Sequence, residues 1–162
     1  MASLNAKVVA TLTLTTDRKD FEGPYQRALT FDLNFDAART AVSVANLSNI
    51  VVGPFPTPVG PDTITVSKSS GGDGTFDPTT GALKTEITFL FHHSIAFAGD
   101  STLPLKLTTG KVLGKFGQTG KAVDKVTGAV RLVASSAFVD GYLGDVEAGI
   151  DIVGTIAPVP FP

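Results

Sequence analysis

The sequence predicts an all-β domain: an antiparallel β-sandwich with Greek-key or jelly-roll connections, or, as the alternative, a closed antiparallel β-barrel. Three observations predict it. Apolar and polar residues alternate with period two in one segment after another, which puts successive side chains on opposite faces of a strand. Clusters of Gly, Asp, Asn and Pro recur between those segments and mark turns. Only one stretch, Ala37 to Asn49, fits helical spacing at all. Short strands with frequent turns are the pattern of both sandwiches and barrels, and period two does not separate them. A proline-rich stretch and uneven loop lengths favour the sandwich.

In the first segment Ala6, Val8, Ala10, Leu12 and Leu14 alternate with Lys7, Val9, Thr11, Thr13 and Thr15. The threonines interrupt any h-region and no small-residue cleavage site follows, so this reads as a strand and not as a signal peptide. Thr16 to Pro24 is a charged loop closed by Gly-Pro. Leu29, Phe31, Leu33 and Phe35 then alternate with Thr30, Asp32, Asn34 and Asp36, the cleanest strand pattern in the chain. Between Ala37 and Asn49 the β-branched Val42 and Val44 favour a strand over the helix that Ala38, Ala41, Val42 and Ala45 would permit.

From Val51 to Pro61, VVGPFPTPVGP places prolines at 54, 56, 58 and 61. Proline cannot donate into a ladder, so this stretch is expected to be an unpaired surface crossover. Thr63 to Ser67 reads as a short strand and Ser69 to Gly74 as a small-residue turn. Thr85 to Phe97 is the strand around which the chain is organised. One face carries Ile87, Phe89, Phe91, His93, Ile95 and Phe97, and the other Glu86, Thr88, Leu90, His92, Ser94 and Ala96.

A turn at Ala98 to Ser101 follows, then a strand at Leu103 to Thr109, a lysine- and glycine-rich span to Lys121, and strands at Ala129 to Val139 and Tyr142 to Ile156. Residues 1–156 form a single domain on this reading. The tail APVPFP, 157–162, cannot pair and is expected to lie over the surface.

One motif recurs. Phe76-Asp77-Pro78-Thr79-Thr80-Gly81-Ala82-Leu83 is echoed by Val123-Asp124-Lys125-Val126-Thr127-Gly128-Ala129-Val130, and more loosely by Phe35 to Val42. Each reads as a hairpin corner. The aspartate caps the backbone that follows and the glycine supplies the positive φ of a type I turn with a bulge. The third copy has Thr40 in place of the glycine. Two good copies are too few for propeller blades.

With 162 residues the chain is long enough to bury roughly 70% of its unfolded surface unaided. A hydrophobic content of 43% against 17% charged residues excludes a disordered chain. The formal charge of −2 offers nothing to a nucleic acid backbone. The absence of cysteine removes disulfides, thiolate metal sites and cysteine nucleophiles, and leaves the compartment open. No run approaches the roughly 18 apolar residues of a spanning helix. A membrane barrel would need aromatic girdles, for which two tyrosines and no tryptophan do not suffice.

His93 is the foremost candidate, because an imidazole on an apolar face suits a general base or a ligand contact. Its plainer explanation is a core histidine bonded to a backbone carbonyl. His92 faces the other way, so the two do not share a metal, and there is no third histidine. Gly71 to Asp77 only brushes the calcium nonapeptide pattern, and a tight turn explains it as well. GKFGQTGK, 114–121, fails as a phosphate loop because Ala122 follows the lysine and no helix begins there. Lys106, Lys111, Lys115, Lys121, Lys125 and Arg131 precede Asp140, Asp145, Glu147 and Asp151, a separation that neighbouring hairpins would compensate across strands. No hydrolase, zincin or nucleotide motif occurs.

The expectation is therefore a non-catalytic binding or structural module, acting at or outside the cell surface and meeting a protein or glycan through its loops. The alternative is a small barrel holding an apolar small molecule among Phe89, Phe91, His93 and Phe97, as carrier or as an enzyme with His93 as acid or base. Neither reading calls for a cofactor or a metal. Exposed edge strands would also permit a homodimer.

Overall fold

A computed structural model describes residues 3–16, 25–95, 99–108, 121–140 and 144–156. The loop at 17–24, Phe97, most of the lysine-rich span and the C-terminal tail lie outside the described residues. Among the described residues every regular element is a strand: β1 (Leu4–Thr16), β2 (Tyr25–Phe35), β3 (Ala41–Ala45), β4 (Ile50–Thr57), β5 (Gly60–Phe76), β6 (Leu83–His93), β7 (Ser101–Thr108), β8 (Ala129–Asp140) and β9 (Gly144–Ile156). All pairings between them are antiparallel.

The strand order is β3-β2-β1-β9-β8-β7-β6-β5-β4, with β3 also touching β5. Strands consecutive in the chain are thus mostly neighbours, and the first and last pair from Val8↔Ile156 to Thr16↔Ala148. The connections run up and down, not by Greek-key or jelly-roll crossovers. The sheet is not closed into a barrel and is compatible with a sandwich. Among the described residues its ladder thins to the single pair Thr108↔Val133 between β7 and β8, and to Ala41↔Thr75 through Ser43↔Asp73 between β3 and β5. A barrel needs a ladder sustained all the way round.

Two local expectations are corrected as well. The proline-rich stretch at 51–61 is not an unpaired crossover but strand β4 and its turn into β5, paired from Ile50↔Val66 to Thr57↔Gly60. Prolines are tolerated because β4 ends the strand order, where an absent N–H breaks no second ladder. A register shift between Val52 and Phe55 takes up the Gly53–Pro54 step, while Ile50 and Val52 anchor the strand in the core. Nor is Ser69 to Gly74 a turn, since it lies inside β5 with register shifts on either side of Ser70 and Gly71. Gly72, at φ 105, lies so close to β3 that a Cβ would stand 2.6 Å from the Val44 carbonyl oxygen. Small residues here let the chain bulge between two neighbours without reversing.

The anticipated strand around Val42 and Val44 is β3. It and β4 lie one after the other along the same edge of β5, parted near Asn46, whose φ is 52. The Asn46 side chain donates to Asp32 Oδ2 at 2.7 Å. That bond first, and then Lys7, hold the buried Asp32 carboxyl below its usual value against the opposing effect of burial.

The core follows the predicted alternation. Ala6, Val8, Ala10 and Leu12 of β1 and Leu29, Phe31, Leu33 and Phe35 of β2 are buried, together with Ile87, Phe89, Leu132 and Ile152. Each fully buried side chain of this size contributes about 1.5–3 kcal/mol over its exposed state. Phe35 meets Phe76 edge to face at 5.1 Å between ring centroids.

The recurrent motif forms three corners. Asp77 N donates to Ala82 O and Gly81 N to Asp77 O, both at 2.8 Å, and Asp124 N with Ala129 O and Gly128 N with Asp124 O repeat those distances. Asp77 Oδ1 accepts from Thr79 N and Thr80 N at 2.8 and 3.2 Å, and Asp124 Oδ1 accepts from Val126 N and Thr127 N at the same two distances. Gly81 and Gly128 share φ 75. Since the closing bond joins residues four apart, each turn is one residue wider than a type I turn. In the third copy Asp36 Oδ1 caps Thr40 N and Ala41 N instead, and the positive φ moves to Arg39, at 61.

The corners are also chained to one another. Phe76 N donates to Thr40 O at 2.8 Å, Val123 N to Gly81 O at 3.2 Å and Ile156 N to Gly128 O at 2.8 Å. Each donor stands just before the next corner, or in the case of Ile156 at the end of β9. Each acceptor occupies the glycine position of the corner before it. At this end of the sheet the corners are thereby tied together by backbone hydrogen bonds.

Candidate functional site

The histidines stand at the other end. β6 pairs with β5 so that His93 is opposite Ile64 and His92 opposite Thr65. Asp62 lies two residues before Ile64, which puts its side chain on the same face as His93 and diagonally next to it. The Nδ1 of His93 is 2.5 Å from Asp62 Oδ2, and the two side chains are 10% and 7% exposed.

The other carboxylate oxygen, Oδ1, accepts from Ser94 N at 3.1 Å. Ser94 Oγ lies 3.5 Å from that oxygen and accepts from Thr63 N at 2.9 Å. Ser94 N also donates to Thr63 O at 3.0 Å, so Ser94 braces the end of β6 against β5. A carboxylate accepts only, so Nδ1 of His93 carries the shared proton. The partner of His93 is thus a side chain from the neighbouring strand, not the backbone carbonyl of the plainer explanation.

His92 turns outward and meets Asp100 Oδ1 at 2.7 Å, with the two side chains 63% and 51% exposed. Pairs this wet contribute little. The four ligand candidates are distributed unevenly. Phe89 is core, Phe91 is partly buried against the core, His93 follows them on the same face, and Phe97 falls outside the described residues. Sequence reasoning missed Asp62, although the alternation Val66, Ile64, Asp62 carried backwards would have turned it inward.

Among the described residues no group of three or more His, Cys, Asp or Glu side chains could hold a metal ion. The carboxylate of Asp77, considered for calcium, is instead spent on Thr79 N and Thr80 N, which hold it below its ordinary value. No helix among the described residues is long and apolar enough to cross a membrane. Of the C-terminal charges, Arg131 and Asp151 compensate each other across β8 and β9 through Nε and Nη2 at 3.2 and 3.1 Å. Hydrogen bonding to Asp151 raises the guanidinium pKa further. Compared with known proteins, the chain matches no family model, no curated protein and no solved structure.

Proposed function

We propose that the protein is a non-catalytic binding or structural module, acting at or outside the cell surface, that meets a protein or glycan partner through the loops at its histidine end. The difference between the two ends carries this reading. At the corner end the aspartates and the backbone are committed to one another, which leaves little polar capacity for a partner. At the histidine end the β4–β5 turn exposes Val59, and His92 and Asp100 stand in water beside it in the strand order. Loops on a rigid scaffold are where binding residues concentrate.

The test places a photo-crosslinking side chain at Val59 in one variant and at Val126, on the Asp124 corner, in another. Both positions are exposed. One partner captured from cell-surface material at Val59 and not at Val126 supports the reading. Equal capture at both, or capture at Val126 alone, removes it.

A further inference from the structure

His93 is largely enclosed, and one of its ring nitrogens has no partner among the described residues. Its one described hydrogen bond is through Nδ1, and its side chain is 90% enclosed, so Nε2 has no acceptor or donor among the described residues. Buried polar atoms are nearly always paired, and one left alone calls for an explanation. We propose that His93 Nε2 is the recognition atom of a small-ligand site for an apolar molecule bearing a hydroxyl group, with a phenol as the simplest case. This goes beyond partner binding by the loops and does not depend on it.

The chemistry of the ligand follows from Asp62. Because the carboxylate holds the proton on Nδ1, the neutral ring offers Nε2 as an acceptor, and the ligand must donate. Protonating the ring gives a pair of zero net charge, so the site has no net positive charge with which to attract an anion. Beside Asp62, two apolar side chains flank the ring. Ile64 sits opposite His93 in register and Phe91 two residues before it on the same face, both partly buried against the core. A site with apolar walls and one placed polar atom takes a ligand of the same composition.

The isostere Asp62→Asn provides the sharpest test. Its oxygen keeps the bond to Ser94 N, and its amide N–H2 then donates to Nδ1. The ring proton is driven to Nε2, which turns from acceptor to donor. In the full chain, with the histidine nitrogens observed by NMR, phenol is expected to move the Nε2 resonance of His93 and to bind about tenfold more tightly than benzene, the factor of an ordinary hydrogen bond. In Asp62→Asn, acetophenone, which only accepts, gains a hydrogen bond that the unmodified chain cannot give it, and binds the variant about tenfold more tightly than it binds the unmodified chain.

An Nε2 resonance that millimolar phenol leaves in place overturns the proposal, as does equal binding of phenol and benzene. A response to Zn2+ without one to phenol overturns it in favour of a metal ligand. Should the asparagine variant not fold, the unmodified chain still decides by its own Nε2 response. Crosslinking at Val59 reads the partner hypothesis separately, so the two fail independently.

Discussion

The corner end and the histidine end are built from the same antiparallel hairpins, yet they solve the problem of chain reversal differently. At the corners, Asp77 and Asp124 cap their own turns and the glycine carbonyls pass to the next unit, so nearly every bond is backbone or made within a few residues. At the histidine end, side chains from different strands take part in the contacts, Asp62 with His93 among them. The lesson is that repeated local chemistry makes a support. A polar pair assembled from distant residues has to be explained by something more.

The largest expected effect tests the support. Gly81→Ala places a Cβ at φ 75 and 2.5 Å from the Val123 carbonyl oxygen, within the relay itself. It is expected to cost about 2–3 kcal/mol in urea unfolding. Gly60→Ala, at φ 116 in the β4–β5 turn, meets nothing within 4 Å. It carries only the backbone strain, about 1–2 kcal/mol. Equal costs at the two glycines would remove the distinction between the ends.

Next comes the pair. Asp62→Ala strands the Nδ1 of His93, while Ser94 N keeps its bond to Thr63 O at 3.0 Å, and is expected to cost about 1–3 kcal/mol. Replacing both partners, with Asp62→Leu and His93→Phe in one chain, is expected to recover most of that, because no buried polar group is then left alone. A double variant as unstable as Asp62→Ala would mean that the pair stabilises the fold in its own right.

Acid sharpens the same contrast. Backbone N–H groups hold the carboxyls of Asp36, Asp77 and Asp124 below their ordinary value of 3.8. A depressed carboxyl contributes stability that is complete above its unfolded value and disappears as pH falls through the lower folded value. Unfolding midpoints followed from pH 5 to pH 2 should therefore fall below about pH 4. The fall should be shallower in Asp77→Asn and Asp124→Asn. Smallest of all is His92→Ala, which removes an exposed pair and is expected to change stability by less than about 0.5 kcal/mol.

Much of this fold could be read in advance. The alternation over Ala6 to Leu14 and over Leu29 to Phe35 named the buried faces of β1 and β2, and the Asp-to-Gly motif named two corners and flagged the third. The misreadings share one cause. Prolines 54, 56 and 58 predict a broken ladder, but β4, as an edge, has a ladder on one side only, and the glycines after Ser70 predict a turn, but β3 and β6 flank them on both sides. Proline and glycine report what the local backbone permits, while the neighbours determine what it does.

The same division holds for the site. Which residues alternate, where the chain can turn and which face carries His93 depend on contacts two to five residues apart, and the sequence by itself determined them. That β1 pairs with β9, that β4 is an edge and that Asp62 meets His93 depend on residues up to the length of the chain apart. Those were settled by the tertiary structure, because the register Ile64↔His93 puts an aspartate diagonally next to the imidazole, whereas a slip of one residue would turn it to the opposite face.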